Sequence, residues 1–266
     1  MYHAHFGLTA TPFTSQPVPA HYVPTAGHEE AIARLEFLSD TQSGLGFLVG
    51  PPGSGKSLLL GVFARNRRRQ GIAAALVSAA QGDLSELQFS IAAQLGVSLP
   101  GWQTPSRLMR LLSDRLAELR YDQTSTVLLI DDLDRVGDDH FQQVSELLAS
   151  LPQTPLLSVV LAASYEAVER LPASLAQRAD LRIEVFPWDL DDVRQYLSVR
   201  LARCGCASLL FDDGAISVLF EASEGNPRRL GQLANLALVA AAAKDILTID
   251  ADTVEEVCRE LCVGPG

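Results

Sequence analysis

The 266-residue sequence predicts an α/β fold, a five-stranded parallel sheet covered by helices, followed by a small all-helical domain. Three features predict it. Five short apolar runs alternate with helical stretches, the phrase GPPGSGKS stands directly after the first run, and beyond Pro187 only helical patterns remain. Alternation of this kind marks βαβ units, whose crossover helices cover both faces of a parallel sheet.

Residues 1–27 are rich in Pro, Thr and aromatic side chains and read as an extended leader, anchored on the body by Phe6, Phe13 and Tyr22. In HEEAIARLEF, His28–Phe37, the spacing of Ile32 and Leu35 gives a helix with one apolar and one charged face. The runs Leu45–Val49, Ile72–Val77, Thr126–Ile130, Leu157–Ala163 and Leu181–Val185 are the expected strands, so residues 28–186 are expected to form the α/β domain. Leu190–Cys204, Asp212–Glu224, Pro227–Lys244 and Ala251–Leu261 are the expected helices of a lid domain over residues 187–266. Within it, Leu230, Leu233, Leu236 and Leu238 are read as helix core.

An apolar share of 47% is enough for a sizeable core, and a net charge of -11 argues against a chain whose main task is to coat nucleic acid, since that binding rests on many Lys and Arg contacts to phosphate. Arg65, Arg67, Arg68 and Arg69 end the helix after the glycine-rich phrase, where cations complement the exposed carbonyls. Cys204, Cys206, Cys258 and Cys262 lack the dense spacing of a disulfide scaffold and read as small buried hydrophobes of a chain in a reducing compartment. The five histidines, His3, His5, His21, His28 and His140, show no metal-binding spacing. The start has no basic region followed by an apolar one, and Leu233–Ala243 falls short of the roughly 20 residues that cross a bilayer, so the expectation is a cytoplasmic chain without a membrane segment.

The phrase GPPGSGKS satisfies GxxxxGK[ST] between a strand and a helix, the setting in which a phosphate-binding loop forms. Its residues, Gly50, Pro51, Pro52, Gly53, Ser54, Gly55, Lys56 and Ser57, together with Leu58, are therefore expected to bind ATP. The glycines let backbone N–H groups point inward, Lys56 reaches the β and γ phosphates, and the Ser57 hydroxyl ligates Mg²⁺. A second phrase, TVLLIDDLDR, ends an apolar strand in Asp131 and Asp132, at the carboxyl edge where open α/β sheets bind ligands. Asp131 is expected to hold Mg²⁺ through water and Asp132 to orient the attacking water, while Asp134 and Arg135 read as surface residues.

Taken together, MYxxHFGLxxxPF at Met1–Phe13, HEEAIARL, the phosphate-binding loop, LLIDD at Leu128–Asp132, LAQR at Leu175–Arg178 and GNPRRL at Gly225–Leu230 resemble an AAA+ ATPase of the ExeA, or general secretion pathway A, type. The resemblance implies a P-loop NTPase fold, ATP hydrolysis and a homo-oligomer. It also implies a sensor of the γ-phosphate at Ser164, an arginine finger for a neighbouring subunit at Arg178, and a lid sensor at Arg228. Adenine would lie against the leader near Phe13 or Val23. Where the family commonly has Glu, this chain has the shorter Asp132, which implies slow turnover, and the sequence stops at Gly266 where secretion-type relatives often continue into a transmembrane helix. Three roles follow from the resemblance: a motor or assembly factor acting on a protein partner, a DNA-associated ATPase like the transposition regulators, or a slowly hydrolysing nucleotide-gated switch. The acidic balance favours the first over the second.

Overall fold

The computed structural model describes residues 2–14, 16, 18–41, 44–80, 82–99, 101, 103–151, 154, 156–206 and 208–262. Met1 and Pro17 of the leader, and the side chains of His140 and Cys262, lie outside the described residues. By its internal contacts the chain divides into a sheet unit, His28–Pro52 with Lys56–Val185, and a helical unit, Met1–Gly27 with Gly53–Gly55 and Phe186–Gly266.

The chain opens with a short helix α1 (Tyr2–Phe6), followed by α2 (Ala26–Asp40), β1 (Leu45–Val49), α3 (Lys56–Arg69), β2 (Ala73–Ser78) and α4 (Leu84–Gln94). Then come α5 (Pro105–Tyr121), β3 (Thr126–Asp131), α6 (Asp138–Ser150), β4 (Leu157–Ala163), α7 (Tyr165–Glu169), α8 (Ala173–Ala176) and β5 (Leu181–Glu184). The five strands are parallel in the order β2-β3-β4-β1-β5. β1, β3 and β4 are buried along their whole length, which is why they read as uninterrupted apolar runs. β2 and β5 form the edges and are partly exposed.

One face of the sheet buries Phe47, Val49, Leu128, Ile130, Val159 and Leu161 in a core shared with α4, α5 and α6. α5 shows how sequence spacing selects the packed face. Pro105 occupies its first turn, where no backbone N–H is needed, and Leu108, Leu112, Leu116 and Leu119 recur every three or four residues as its buried stripe. Truncating a fully buried residue such as Leu112 to Ala costs about 2–5 kcal/mol by the usual sum of lost transfer energy and cavity.

The helical unit is built from α9 (Leu190–Arg203), α10 (Asp213–Ser223), α11 (Pro227–Ala243) and α12 (Ala251–Cys262), with the leader. α9 starts on a reciprocal cap in which the Asp189 carboxylate accepts from Asp192 N and the Asp192 side chain accepts from Asp189 N. α11 starts on Asn226, whose side chain accepts from the backbone N–H groups of Arg228 and Arg229. Between α10 and α11, Gly225 has φ +66°, and a Cβ there would lie 2.1 Å from the Trp188 carbonyl oxygen, so only glycine fits. Cys204 and Cys206 are buried in this unit's core as unpaired thiols.

The leader is not wholly extended: α1 and a 3₁₀ turn at Pro19–His21 interrupt it, and Val23, not Tyr22, is the buried anchor beside Phe6 and Phe13. Leu236 is 37% exposed because the buried stripe of α11 runs through Leu230, Leu233, Ala234, Ala237, Leu238 and Ala241, and Leu236 falls off that stripe. The leader is fastened to α9 largely through backbone carbonyls. Arg200 Nε donates to Pro12 O at 2.6 Å, Arg203 Nη1 to Tyr22 O at 2.8 Å, and Gln195 Nε2 to Pro24 O at 3.0 Å.

Candidate nucleotide-binding site

The glycine-rich loop leaves the buried end of β1 at Gly50 and enters α3 at Lys56. Gly53 and Gly55 have φ of +88° and +101°, values that side-chain-bearing residues reach only with strain. The Gly50 N–H donates to Ala163 O at 3.3 Å, which ties the start of the loop to the end of β4. Lys56 is 7% exposed, and its Nζ donates to the carbonyls of Gly50 at 2.8 Å and Pro51 at 3.1 Å. The ammonium is thus curled over its own loop, at the first turn of a helix whose partial positive charge adds to its own.

Asp131 ends β3 and is 8% exposed. Burial pushes its carboxyl above the usual carboxylate range; a hydrogen bond from Ser57 opposes this, the neighbouring Asp132 charge adds to it, and the Asp132 N–H donated at 2.8 Å opposes it again. A serine hydroxyl and a carboxylate joined in one hydrogen bond are the kind of hard oxygen pair that Mg²⁺ takes, so the residues fit that ion. The sequence pairs the same two residues as metal ligands, and the structure brings them together.

Asp132 faces differently. It sits in the left-handed region at φ 59°, ψ 30°, an uncommon conformation for a non-glycine residue and one that concentrates at functional sites. Its Oδ2 accepts from the Ser78 hydroxyl at 2.8 Å, and its Oδ1 lies 3.4 Å from Arg135 Nε. Ser78 ends β2, which lies on the side of β3 away from β4 and β1. Asp132 is therefore held toward the β2 edge while Asp131 bonds Ser57. Ser78 and Arg135 were not legible as site residues, because the register that sets Ser78 beside Asp131 is not written in either strand alone.

Ser164 follows β4 immediately after Ala163, whose carbonyl holds Gly50, so it stands beside the loop. It is buried, and its hydroxyl caps α7 by accepting from Ala167 N at 3.3 Å. Glu166 stands in the first turn of α7 and belongs to no sequence motif. Its carboxyl is held below the usual range by its own backbone amide, then by the Ser164 hydroxyl, with the Lys56 charge contributing less.

Arg178 is exposed beyond α8, with its backbone N–H on Leu175 O at 3.1 Å. Arg182 is engaged within the chain, 3.0 Å from Glu184 and over the Tyr165 ring at 5.9 Å. Arg228 belongs to the helical unit, exposed at the second position of α11. Phe13 is buried with its ring against Tyr196 at 5.8 Å and Phe211 at 6.3 Å, a core position in the helical unit that gives it packing partners from the protein itself. Two of the four arginines ending α3 are also engaged: Arg67 pairs with Asp40 at 2.7 Å, and Arg68 donates to Ala74 O. Among the described residues, no group of three His, Cys, Asp or Glu side chains is arranged to hold a metal, and no helix is long and apolar enough to cross a membrane.

Residues 39–171, which include the loop and both aspartates, match the family model described as AAA domain. The chain is 28% identical over 257 residues to general secretion pathway protein A of Aeromonas hydrophila, a match covering 92% of this chain and 45% of that protein. It thus spans less than half the length of that relative. In fold it is similar to the Orc1 protein of Aeropyrum pernix in complex with DNA, with a TM-score of 0.67 at 18% identity over 91% of this chain and 66% of that one. Cdc6p of Pyrobaculum aerophilum gives a TM-score of 0.70 at 16% identity, over 92% of this chain and 70% of that one. A RuvB variant of Thermotoga maritima gives 0.60 at 16% identity, over 95% and 74%. With the family model spanning the loop, both aspartates and four of the five strands, the chain belongs to the AAA domain family of P-loop ATPases.

Proposed function

We propose that this chain binds ATP with Mg²⁺ and hydrolyses it, acting as an oligomeric motor or assembly factor on a protein partner in the manner of secretion or pilus ATPases. The observation that carries the nucleotide reading is the geometry of the loop, with Gly53 and Gly55 at positive φ and the buried Lys56 curled back so that its Nζ donates to the carbonyls of Gly50 and Pro51. Bound ATP and Mg²⁺ would supply the transferable phosphoryl group and a divalent charge. The chain's own residues supply position and charge: loop N–H groups and Lys56 hold phosphate oxygens, Ser57 and Asp131 hold the cation, and Asp132 turns an attacking water into line.

The preference for a protein partner rests on the similarity to general secretion pathway protein A and on the net charge of -11. The engagement of Arg67 and Arg68 within the chain supports it further, since it removes half of the basic cluster a nucleic acid would use. The test is phosphate release by the purified chain with and without Mg²⁺, duplex DNA or single-stranded DNA, beside Lys56→Ala. Release that requires both Mg²⁺ and Lys56 and ignores DNA is the expected result. Stimulation by DNA would replace the protein partner with DNA, and release that persists without Lys56 would overturn the site.

A further inference from the structure

β2 is an edge strand, and it pairs with β3 on one side only. The N–H groups of Ala73 and Ala79 point at β3, donating to Ser125 O and Asp131 O. By the two-residue period of a strand, the backbone groups of Ala74, Leu76 and Ser78 point outward. An outward row of this kind is a template for another strand, and the segment Ala73–Ser78 is apolar, uncharged and free of proline, so nothing in it repels a copy of itself.

Two side chains occupy that row. Gln94, at the end of α4, accepts from Leu76 N at 2.9 Å and donates through Nε2 to Leu76 O at 2.5 Å, the same pair of bonds an added strand would make. Arg68, near the end of α3, donates to Ala74 O from Nε at 3.0 Å and from Nη2 at 2.8 Å. Its Nη2 also donates to Gln94 Oε1 at 2.9 Å, which locks the two together. Both side chains are exposed, so they lie on the surface an incoming strand would reach first.

We infer that Arg68 and Gln94 form an edge guard that stands in for a sixth strand and keeps a second copy of this chain from pairing with β2. The pairing it prevents is antiparallel, β2 on β2 about a two-fold axis, because that arrangement uses the same edge twice and closes on itself. Removing the guard should therefore yield a dimer and not a fibre. A surface Arg and Gln kept only for solubility would not place both amide atoms on one residue's N–H and C=O.

The experiment compares Arg68→Ala/Gln94→Ala with the wild type in nucleotide-free buffer by sedimentation and infrared spectroscopy. The expected result is a roughly twofold rise in average mass over the wild type, dependent on concentration, with a new intermolecular sheet band. Adding Ala74→Pro removes one outward N–H from the ladder without touching a bond to β3, and should return the mass to the wild-type value. Arg68→Ala/Gln94→Glu removes the guanidinium that would neutralise the new carboxylate, so each copy carries an uncompensated negative charge at this edge that repels the other, and it should remain at the wild-type mass. A double variant that unfolds cooperatively yet keeps the wild-type mass overturns the guard. So does a mass gain that Ala74→Pro leaves unchanged, or association of Arg68→Ala/Gln94→Glu as strong as that of Arg68→Ala/Gln94→Ala.

Discussion

Replacing Asp131 with Asn should make the ligand-free protein more stable while removing its response to Mg²⁺. The carboxylate is 8% exposed, and burial is the leading cause that pushes its pKa up, so the charged form is held against its own preference. Asn keeps the shape and an acceptor oxygen for the Asp132 N–H but carries no charge. Relief on the ordinary scale of a single substitution is about 1 kcal/mol, which for a chain of this size raises Tm by about 2–4 °C. The wild type should in turn gain about 2.7 kcal/mol from MgATP held at roughly a hundred times its Kd. In the Asp131→Asn variant that gain should shrink to what ATP gives without the metal. Thermal unfolding with ATP, with and without Mg²⁺, reads both effects. A ligand-free variant that melts below the wild type, or one that keeps the full Mg²⁺ increment, would refute the reasoning.

The same shift fixes a pH dependence. The folded pKa of Asp131 lies above its unfolded value, so in the interval between them the folded chain binds more protons than the unfolded one and stability falls as pH rises. Its contribution is complete below the ordinary carboxylate pKa and is lost as pH climbs through the raised one. Mg²⁺ binding runs the other way, since the cation needs the deprotonated form. The Asp131→Asn variant should lack both slopes.

Lys56→Ala should weaken MgATP binding by roughly 10²-fold or more, since each hydrogen bond from a charged donor is worth about 1.5–3 kcal/mol and the loop has no second cation; titration calorimetry checks it. Asp132→Asn should leave nucleotide affinity near the wild-type value and slow phosphate release at saturating ATP, and a parallel loss of both would make Asp132 a binding residue. Arg200→Ala should expose the leader to proteolysis and cost about 2–3 kcal/mol, because the carbonyl of Pro12 loses a buried, charged donor. Arg178→Ala should bind ATP yet hydrolyse it about 10³-fold more slowly if a neighbouring subunit uses it; mixing it with Lys56→Ala should then restore part of the activity, and a silent mixture of demonstrated oligomers would remove the assignment.

The sheet was legible because its strands are apolar runs, buried on both faces at the centre. β1 and β4 have the limits the apolar runs suggest, and the other three differ by a residue at one or both ends. The helices after Trp188 were legible through their punctuation, with Asp189, Asp212 and Asn226 each capping a helix N-terminus as their position before an apolar pattern implies. The leader was harder to read. Its folds are dictated by α9, far along the chain, whose Arg200, Arg203 and Gln195 collect its carbonyls, and no local periodicity announces that. In the candidate site, the placement of Lys56 and Ser57 at the start of α3 and of Asp131 at the end of β3 was readable from motif spacing. Ser78 and Arg135 depend on strand register and on a turn, which spacing does not encode.

That turn explains how two adjacent carboxylates come to stand in separate surroundings. Along a regular strand successive side chains point to opposite faces, so Asp132 would simply oppose Asp131 across the sheet. Instead β3 stops at Asp131, and Asp132 turns into the left-handed region to open the 3₁₀ turn Leu133–Arg135. The turn brings Arg135 back over Asp132, with its backbone N–H on Asp132 O at 3.0 Å and its guanidinium 3.4 Å from the carboxylate. Asp131 is left buried with Ser57, whereas Asp132 keeps partial access to solvent between Ser78 and Arg135. The backbone reversal at a single residue supplies both environments within one dipeptide, and its strain is tolerable because Leu133, fully buried beneath it, anchors the turn.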